Sequence, residues 1–199
     1  LPTGLWIFKI AMIKRIKSKV VGFWFLLRNL IHAMKIRPFP GIIANGLTFR
    51  GYQKEDVEQI AEIYAALNIG ANFVGLRKWL YDLVGTKLML VAVCSGDSGD
   101  VIVGMNMYYF NPRDVREKTI HEGFIGVIPE MNGRGIATTM RLHAKQHFAR
   151  AGLAGISTRI SVANKSSLSS AEKVGFVPIE KYIDVHSGDL RYYMVSNLG

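Results

Sequence analysis

The sequence predicts an α+β domain whose elements run in the order βααβββαβαββ, preceded by a basic amphipathic helix. Three observations predict it. From about Asn45 onward, segments with period-two apolar alternation are interleaved with segments whose apolar residues recur every three or four positions. Short connections such as "CSGDSGD" (Cys94–Asp100) join strands as hairpins do. Ten of the 25 Lys and Arg fall in residues 1–54, before the first carboxylate, Glu55, so the net charge of +10 belongs to the N-terminal part. The remaining fifteen bases are matched by all 15 acids. Two parts with different physics follow, residues 1–41 and residues 42–199.

In the first part, Ile16, Val20, Phe23, Leu27, Leu30 and Met34 step by four and three, the spacing of one helical face. Lys14, Lys17, Arg28, His32 and Lys35 flank that face, and "RPFPG" (Arg37–Gly41) stops the helix. The uncharged run Val20–Leu27 is far shorter than the ~20 residues that cross a bilayer. "IHAMKIRPFPG" offers no secretory cleavage site. Three readings stay open for this helix. It packs against the body or a second subunit, making a homodimer. It lies on an anionic membrane with Trp6, Phe23, Trp24 and Phe25 as wedges. Or it docks an acidic protein such as an acyl-carrier protein. No nucleic-acid-reading motif accompanies the basic residues, so nucleic acid is not expected.

The second part opens with a strand, "LTFRGY" (Leu47–Tyr52). A helix over "KEDVEQIAEIYAAL" follows, acidic in its first turn, and a second helix covers Phe73–Val84. Strands over Lys87–Val93, Val101–Phe110 and Thr119–Ile128 lead to a helix ending at Arg150. A strand over Gly155–Val162, a helix near Ser166–Val174, and strands near Phe176–Val185 and Leu190–Val195 complete the chain. Hydrophobic residues make up 49% of the chain, which excludes a disordered tail protein. Cys94 is the single cysteine and the five histidines are scattered, so disulfide and metal chemistry have no support and a reducing compartment is favoured.

The informative stretch is "VIPEMNGRGIATTM" (Val127–Met140). A strand ends at Pro129, and a helix starts after Gly133 and Gly135. The first turn of a helix leaves amides without partners at its positive end. Glycines there remove the Cβ atoms that would hold an anion away. A phosphate or pyrophosphate can therefore sit on bare backbone with Arg134 as counter-charge. A Walker A loop is absent. The third small residue of a dinucleotide fingerprint is replaced by Thr138, with Arg159 and Ser161 where an acid is needed.

Together with "NKSSLSSAEKVGF" (Asn164–Phe176), this stretch resembles the GNAT superfamily of N-acetyltransferases. Val127, Pro129, Gly135, Ala137, Asn164, Gly175 and Phe176 match that family's motifs, and the similarity spans about residues 46–199. The resemblance implies a mixed, mostly antiparallel central sheet with helices on both faces, and acetyl-CoA as acyl donor. It implies that the amides of Asn132, Gly133, Arg134, Gly135, Ile136, Ala137 and Thr138 hold the pyrophosphate. Free backbone around Val127 would pair with pantetheine and polarise the thioester carbonyl, Asn164 would sit by the sulfur, and Lys173 near the adenine or ribose phosphate. Two residues depart from the pattern. Asn132 stands where Arg or Gln is usual, and Ala171 where many members carry a tyrosine that protonates the thiolate. That second role is left vacant or falls to Ser167, Ser170 or water.

An ammonium must lose its proton before attack, so a base is needed. His121 and Glu122 of "TIHEG" are the candidates. Simple alternation puts His121 on the face of Gly123, Ile125 and Val127, and Glu122 opposite unless a bulge shifts the register. Tyr108, Tyr109, Phe110, Tyr192 and Tyr193 are candidates to line an acceptor pocket. Met140, His143, Ala144 and His147 read as packing. The expectation is a cytoplasmic acetyl-CoA-dependent N-acetyltransferase acting on a small-molecule or peptide amine, peripheral on the inner face of a membrane if its helix binds there. The alternatives are a long-chain N-acyltransferase fed by acyl-CoA or acyl-carrier protein, and a non-catalytic acyl-CoA sensor or membrane adaptor.

Overall fold

The computed structural model describes residues 19–68, 71–96, 99–185 and 187–199. Strands β1 (Ile42–Ala44) and β2 (Leu47–Gly51) form a hairpin, because Asn45 and Gly46 accept left-handed φ values of 52° and 75°, as tight two-residue turns require. A 3-10 turn (Lys54–Asp56) leads into α2 (Val57–Leu67), followed by α3 (Gly75–Leu88). Then come β3 (Met89–Gly96), β4 (Gly99–Tyr109), α4 (Pro112–Glu117) and β5 (Thr119–Val127). The C-terminal half holds α5 (Ile136–Arg150), β6 (Gly155–Ser161), α6 (Lys165–Glu172), β7 (Val177–Ile183) and β8 (Leu190–Asn197).

The eight strands make one sheet in the order β1-β2-β3-β4-β5-β6-β8-β7, antiparallel at every pair except β5–β6. Helices cover both faces. A Cβ built on Gly104 would meet Ile136 and Met140 of α5, whereas one on Gly126 would meet Leu67 of α2. Gly104 pairs with Val127 and Met105 with Gly126, so those two glycines point to opposite faces. The mixed, mostly antiparallel sheet expected from the resemblance is what the chain forms.

Two elements escaped the sequence reading, β1 and α4. The second has a local signal. Asn111 is the N-cap, Pro112 follows it, and Asp114 Oδ2 accepts a hydrogen bond from the Asn111 amide at 3.1 Å, a capping box.

A helix over residues 19–33, α1, precedes the sheet. Its buried face is not the predicted stripe. Leu26, Asn29 and Ala33 are buried, whereas Val20, Phe23 and Met34 are 49%, 60% and 78% exposed; Ile16 lies outside the described residues. Asn29 sets this rotation. Its Oδ1 accepts the Phe110 amide at 2.7 Å, and its Nδ2 donates to the Phe110 carbonyl at 3.3 Å. It thereby satisfies the chain just past β4, where an orphaned buried amide would be costly. Phe39, beyond the helix, stacks on His147 at 3.8 Å. Residues 19–41 thus share the core of the body. Among the described residues, no helix is long and apolar enough to cross a membrane.

Candidate active site

The site begins with a missing side chain. Met107 pairs with Phe124 and Tyr108 with Glu122, so Gly123 bulges out of the β4–β5 ladder. Only glycine fits: an added Cβ would lie 2.0 Å from Cε1 of Tyr109. Below the bulge, Thr119–Glu122 pair with Gly155–Thr158 of β6; above it the β5–β6 pairing stops while β5 continues along β4 to Val127. The two parallel strands therefore part. Ile128 N donates to Val103 O at 2.9 Å, and alternation turns the amides of Ile125 and Val127 the other way, into the gap.

Above the gap lies the glycine turn. Gly133 and Gly135 have φ values of 77° and 75°, and a Cβ on either would meet nothing within 4 Å. Their glycines are thus required by conformation, and they leave open space in front of the backbone. Helical bonding in α5 starts with Thr139 N donating to Gly135 O at 2.9 Å, so the amides of Ile136, Ala137 and Thr138 are left for a ligand. These residues border a cavity of 230 Å³ together with Val127, Gly133, Gly135, Ser170, Lys173 and Asn132, whose own amide is not free as expected but donates to the Pro129 carbonyl at 3.1 Å. Arg134 is exposed and outside that lining. Asn164 caps α6, its Oδ1 accepting the Ser167 amide at 3.0 Å, and borders a second cleft of 440 Å³. That cleft holds the open ends of β5 and β6, with Tyr64, Asn68, Arg77, Arg159 and Arg191 around them.

The bulge also redistributes the two candidate bases. Glu122 now shares the α5 face with Ile125 and Val127, and His121 faces the other way, the reverse of simple alternation. Neither side chain stands in the open cleft. Glu122 borders it, but with a side chain only 1% exposed, so its backbone makes the contact. Its carboxylate takes Arg141 Nη2 at 2.7 Å and Nε at 3.1 Å, and Asn106 Nδ2 at 3.0 Å. Arg141, equally buried, also reaches Ser167 Oγ at 3.3 Å and, by a short contact, Ser170 Oγ. Sequence reasoning missed Arg141. Its only signal was a cation next to the apolar stripe of α5, which reads equally well as a solvated flank.

His121 is buried behind the wall. Ser157 Oγ donates its one hydrogen to Asp114 Oδ1 at 2.6 Å, so it accepts from His121 Nδ1 at 2.7 Å. That assigns the neutral ring its Nδ1–H tautomer. Burial, partly offset by Asp114, pushes the His121 pKa from the ordinary 6.5 down to about 4. Burial likewise takes His147 to about 4. The unfolded chain binds these protons as pH falls past about 6.5, and the folded chain binds them only near 4. Stability is complete above 6.5 and is lost as pH falls through that window, by about 3 kcal/mol for His121 alone. Melting temperatures measured from pH 7 to 4.5 are expected to decline, and less steeply in His121→Asn; equal slopes would contradict this.

His143 and His147 meet the carbonyls of Pro40 at 2.9 Å and Lys87 at 3.3 Å, so they are packing residues. Tyr108 is buried, Tyr109 lies against Gly123, and Tyr193 stacks under Arg113 at 3.9 Å. Tyr192 borders neither the cavity nor the cleft. Among the described residues, no group of three His, Cys, Asp or Glu could hold a metal ion.

A parted parallel strand pair beside an amide cradle at a helix N-terminus can seat an elongated ligand with an anionic end. The chain belongs to the GNAT acetyltransferase family, whose sequence profile matches residues 58–176, more than half of its 199 residues. No curated protein sequence matches it. Among solved structures, a chain of the NatC complex bound to Gag peptide and CoA is similar over 77% of this chain and 99% of its own, with a TM-score of 0.66 and 16% identity. YncA from Salmonella typhimurium with acetyl-CoA has a TM-score of 0.62 and 21% identity over 78% of this chain and 95% of its own. A chimera of the Vibrio cholerae spermidine N-acetyltransferase SpeG and hSSAT has a TM-score of 0.61 and 16% identity, covering 77% and 96%.

Proposed function

We propose that the protein transfers an acetyl group from acetyl-CoA to a primary amine by direct attack in a ternary complex. The observation that carries this reading is the alignment of the glycine cradle with the parted β5 and β6 strands. The cavity and cleft fit the group: bare amides at one end suit a diphosphate, and free strand edges suit an amide-bearing arm. Acetyl-CoA supplies the activated acyl carbon. The chain's own part is to grip and to orient. Amides of Gly133–Thr138 hold the anionic end, with Lys173 beside it. Those of Ile125 and Val127 pair with the arm and take up charge developing on the acyl oxygen.

The carbon–nitrogen bond forms as the carbon–sulfur bond breaks, the amine loses one proton and the sulfur gains one. His121 and Glu122 govern the first proton from behind the cleft wall. His121 keeps Nε2 unprotonated at neutral pH and accepts through water, while Glu122 holds the strand against Arg141. Ser167 and Ser170 take over the second proton from the missing tyrosine: both hydroxyls accept from Arg141, which leaves their own hydrogens free to donate.

The test is release of free thiol from acetyl-CoA against a panel of amines, with a pH profile for His121→Ala. Binding of coenzyme A without turnover of any amine would make the chain a sensor instead. An unchanged profile in His121→Ala would remove that residue from the step.

The exposed face of α1 supports an anionic bilayer surface as partner. Val20, Phe23, Trp24, Ile31 and Met34 are each at least 49% exposed, and Lys19, Arg28 and Lys35 flank them in a segment without acids. A position on the inner face of a membrane follows. Because Leu26, Asn29 and Ala33 are in the core, truncation is the wrong test. Sedimentation with phosphatidylglycerol vesicles, absent with phosphatidylcholine and lost in Phe23→Ser/Trp24→Ser, is the expected result. Failure to bind, with a concentration-dependent dimer or capture by acidic acyl-carrier protein instead, would overturn it.

A further inference from the structure

The 440 Å³ cleft at the parted strands is large enough for a small molecule, and its charge is one-sided. Among the described residues, the only carboxylate on its wall belongs to Glu122, and Arg141 consumes it. Three guanidinium groups border the same space. Arg191 has carboxylate neighbours, Asp189 at 3.4 Å and Asp184 at 3.9 Å. Arg77 and Arg159 have none within ion-pair distance among the described residues. Arg77, on α3, donates to the Tyr64 hydroxyl and lies 4.9 Å over that ring, which aims it without neutralising it. The guanidinium group of Arg159, on β6, has no hydrogen-bond or ion-pair partner among the described residues. It also borders a neighbouring pocket containing Glu180, whose carboxylate is paired with Arg113 at 2.8 Å and feels Arg159 only as the weakest of the causes that lower its pKa.

The two charges converge from separate elements. Burial raises the pKa of Tyr109, and Arg159 and then Arg77 work against that rise. Both fields therefore reach the ring that lies against Gly123, a residue of the cleft wall.

We propose that the amine acceptor carries an anionic group, a carboxylate or phosphate, which Arg77 and Arg159 hold across the cleft mouth. This rests on the acetyl-transfer reading. The physical case has two sides. A bare ammonium, and still more a polyamine, enters a cleft of like charge at a loss, which an anion on the same molecule offsets. Once the anion is held, the guanidinium groups still disfavour the protonated amine. They lower its pKa and raise the fraction able to attack, a tenfold gain for each unit. A cleft with no free carboxylate thus assists deprotonation by its field, which a polyamine site lined with acids could not do.

The experiment uses the full chain and acetyl-CoA with matched acceptors. These are β-alanine against propylamine, 2-aminoethyl phosphate against ethanolamine, and spermidine. The anionic member of a pair is expected to have a kcat/KM higher by about tenfold or more, the worth of one charge-assisted hydrogen bond. Arg77→Gln and Arg159→Gln should each erase most of that preference, chiefly through KM. Which pair shows it distinguishes carboxylate from phosphate. Equal use of the neutral-tailed amines, better use of spermidine, or a preference untouched by both substitutions would overturn the proposal. Calorimetry of the same pairs on coenzyme-A-saturated protein gives a readout independent of turnover. Selective binding without turnover would sink the acetyl-transfer reading and keep the anion site. Non-selective binding would sink the site.

Discussion

Arg141→Met is expected to lower the unfolding free energy by about 3–5 kcal/mol, the usual cost of removing one partner from a buried ion pair. For a domain of this size that corresponds to a fall of roughly 10 °C in melting temperature. The reason is that Glu122 would remain as a carboxylate whose side chain is 1% exposed, with Asn106 Nδ2 as its remaining side-chain donor. The same substitution releases α6 from β5, since Arg141 also donates to the Ser167 carbonyl at 3.2 Å. The double variant Glu122→Leu/Arg141→Met should recover most of the loss, because no charge is then stranded. Denaturant unfolding of the single and double variants measures the coupling directly. A single variant within about 1 kcal/mol of the parent, the worth of one ordinary hydrogen bond, would mean that the pair is not what holds these elements together.

Gly135→Val is the second large effect, and it separates conformation from ligand contact. The position has φ 75° with nothing within 4 Å of an added Cβ, so the cost in the free protein is backbone strain of about 1–3 kcal/mol. The larger consequence is for coenzyme A. At a hundred times its dissociation constant, a ligand stabilises the parent by about 2.7 kcal/mol, or roughly 5–10 °C. The valine should abolish that protection, since its side chain projects into the space in front of the bare amides. Gly152→Val is the control. Gly152 has φ 77° and equally open surroundings, beyond the other end of α5. It should show similar strain and full protection. Protection retained in Gly135→Val would remove the glycine turn from the binding site.

The contrast between those two substitutions reflects how the site is encoded. Gly133, Gly135, Pro129 and the run into α5 act through their own backbones, so a short window of sequence carries the cradle's chemistry. Asn164 and the Gly175–Phe176 closure of α6 are of the same kind. Gly123 was not legible in that way. The run "TIHEGFIGV" does not fix where its alternation breaks; the pairing of β5 with β4 does, through the bulge that exchanges the faces of His121 and Glu122, with the Tyr109 ring where a Cβ on Gly123 would lie. Arg141 and Asn29 were hidden for a related reason. A polar residue on an apolar helix is read as solvated until a distant partner is known. Here the partners are Glu122 and the chain at Phe110.

By itself, the sequence determined the alternation of strands and helices, the basic acid-free N-terminal segment, and the bare-backbone turn at residues 133–138. Each follows from local periodicity, composition or the φ freedom of glycine. The tertiary structure alone decided where β5 and β6 part, which face of α1 is buried, and that Arg77 and Arg159 look into one cleft while Glu122 is spent on Arg141. Those outcomes depend on contacts between residues far apart in the chain. The free energy of a buried charge or an unpaired amide depends on which remote group reaches it, and no local pattern carries that information.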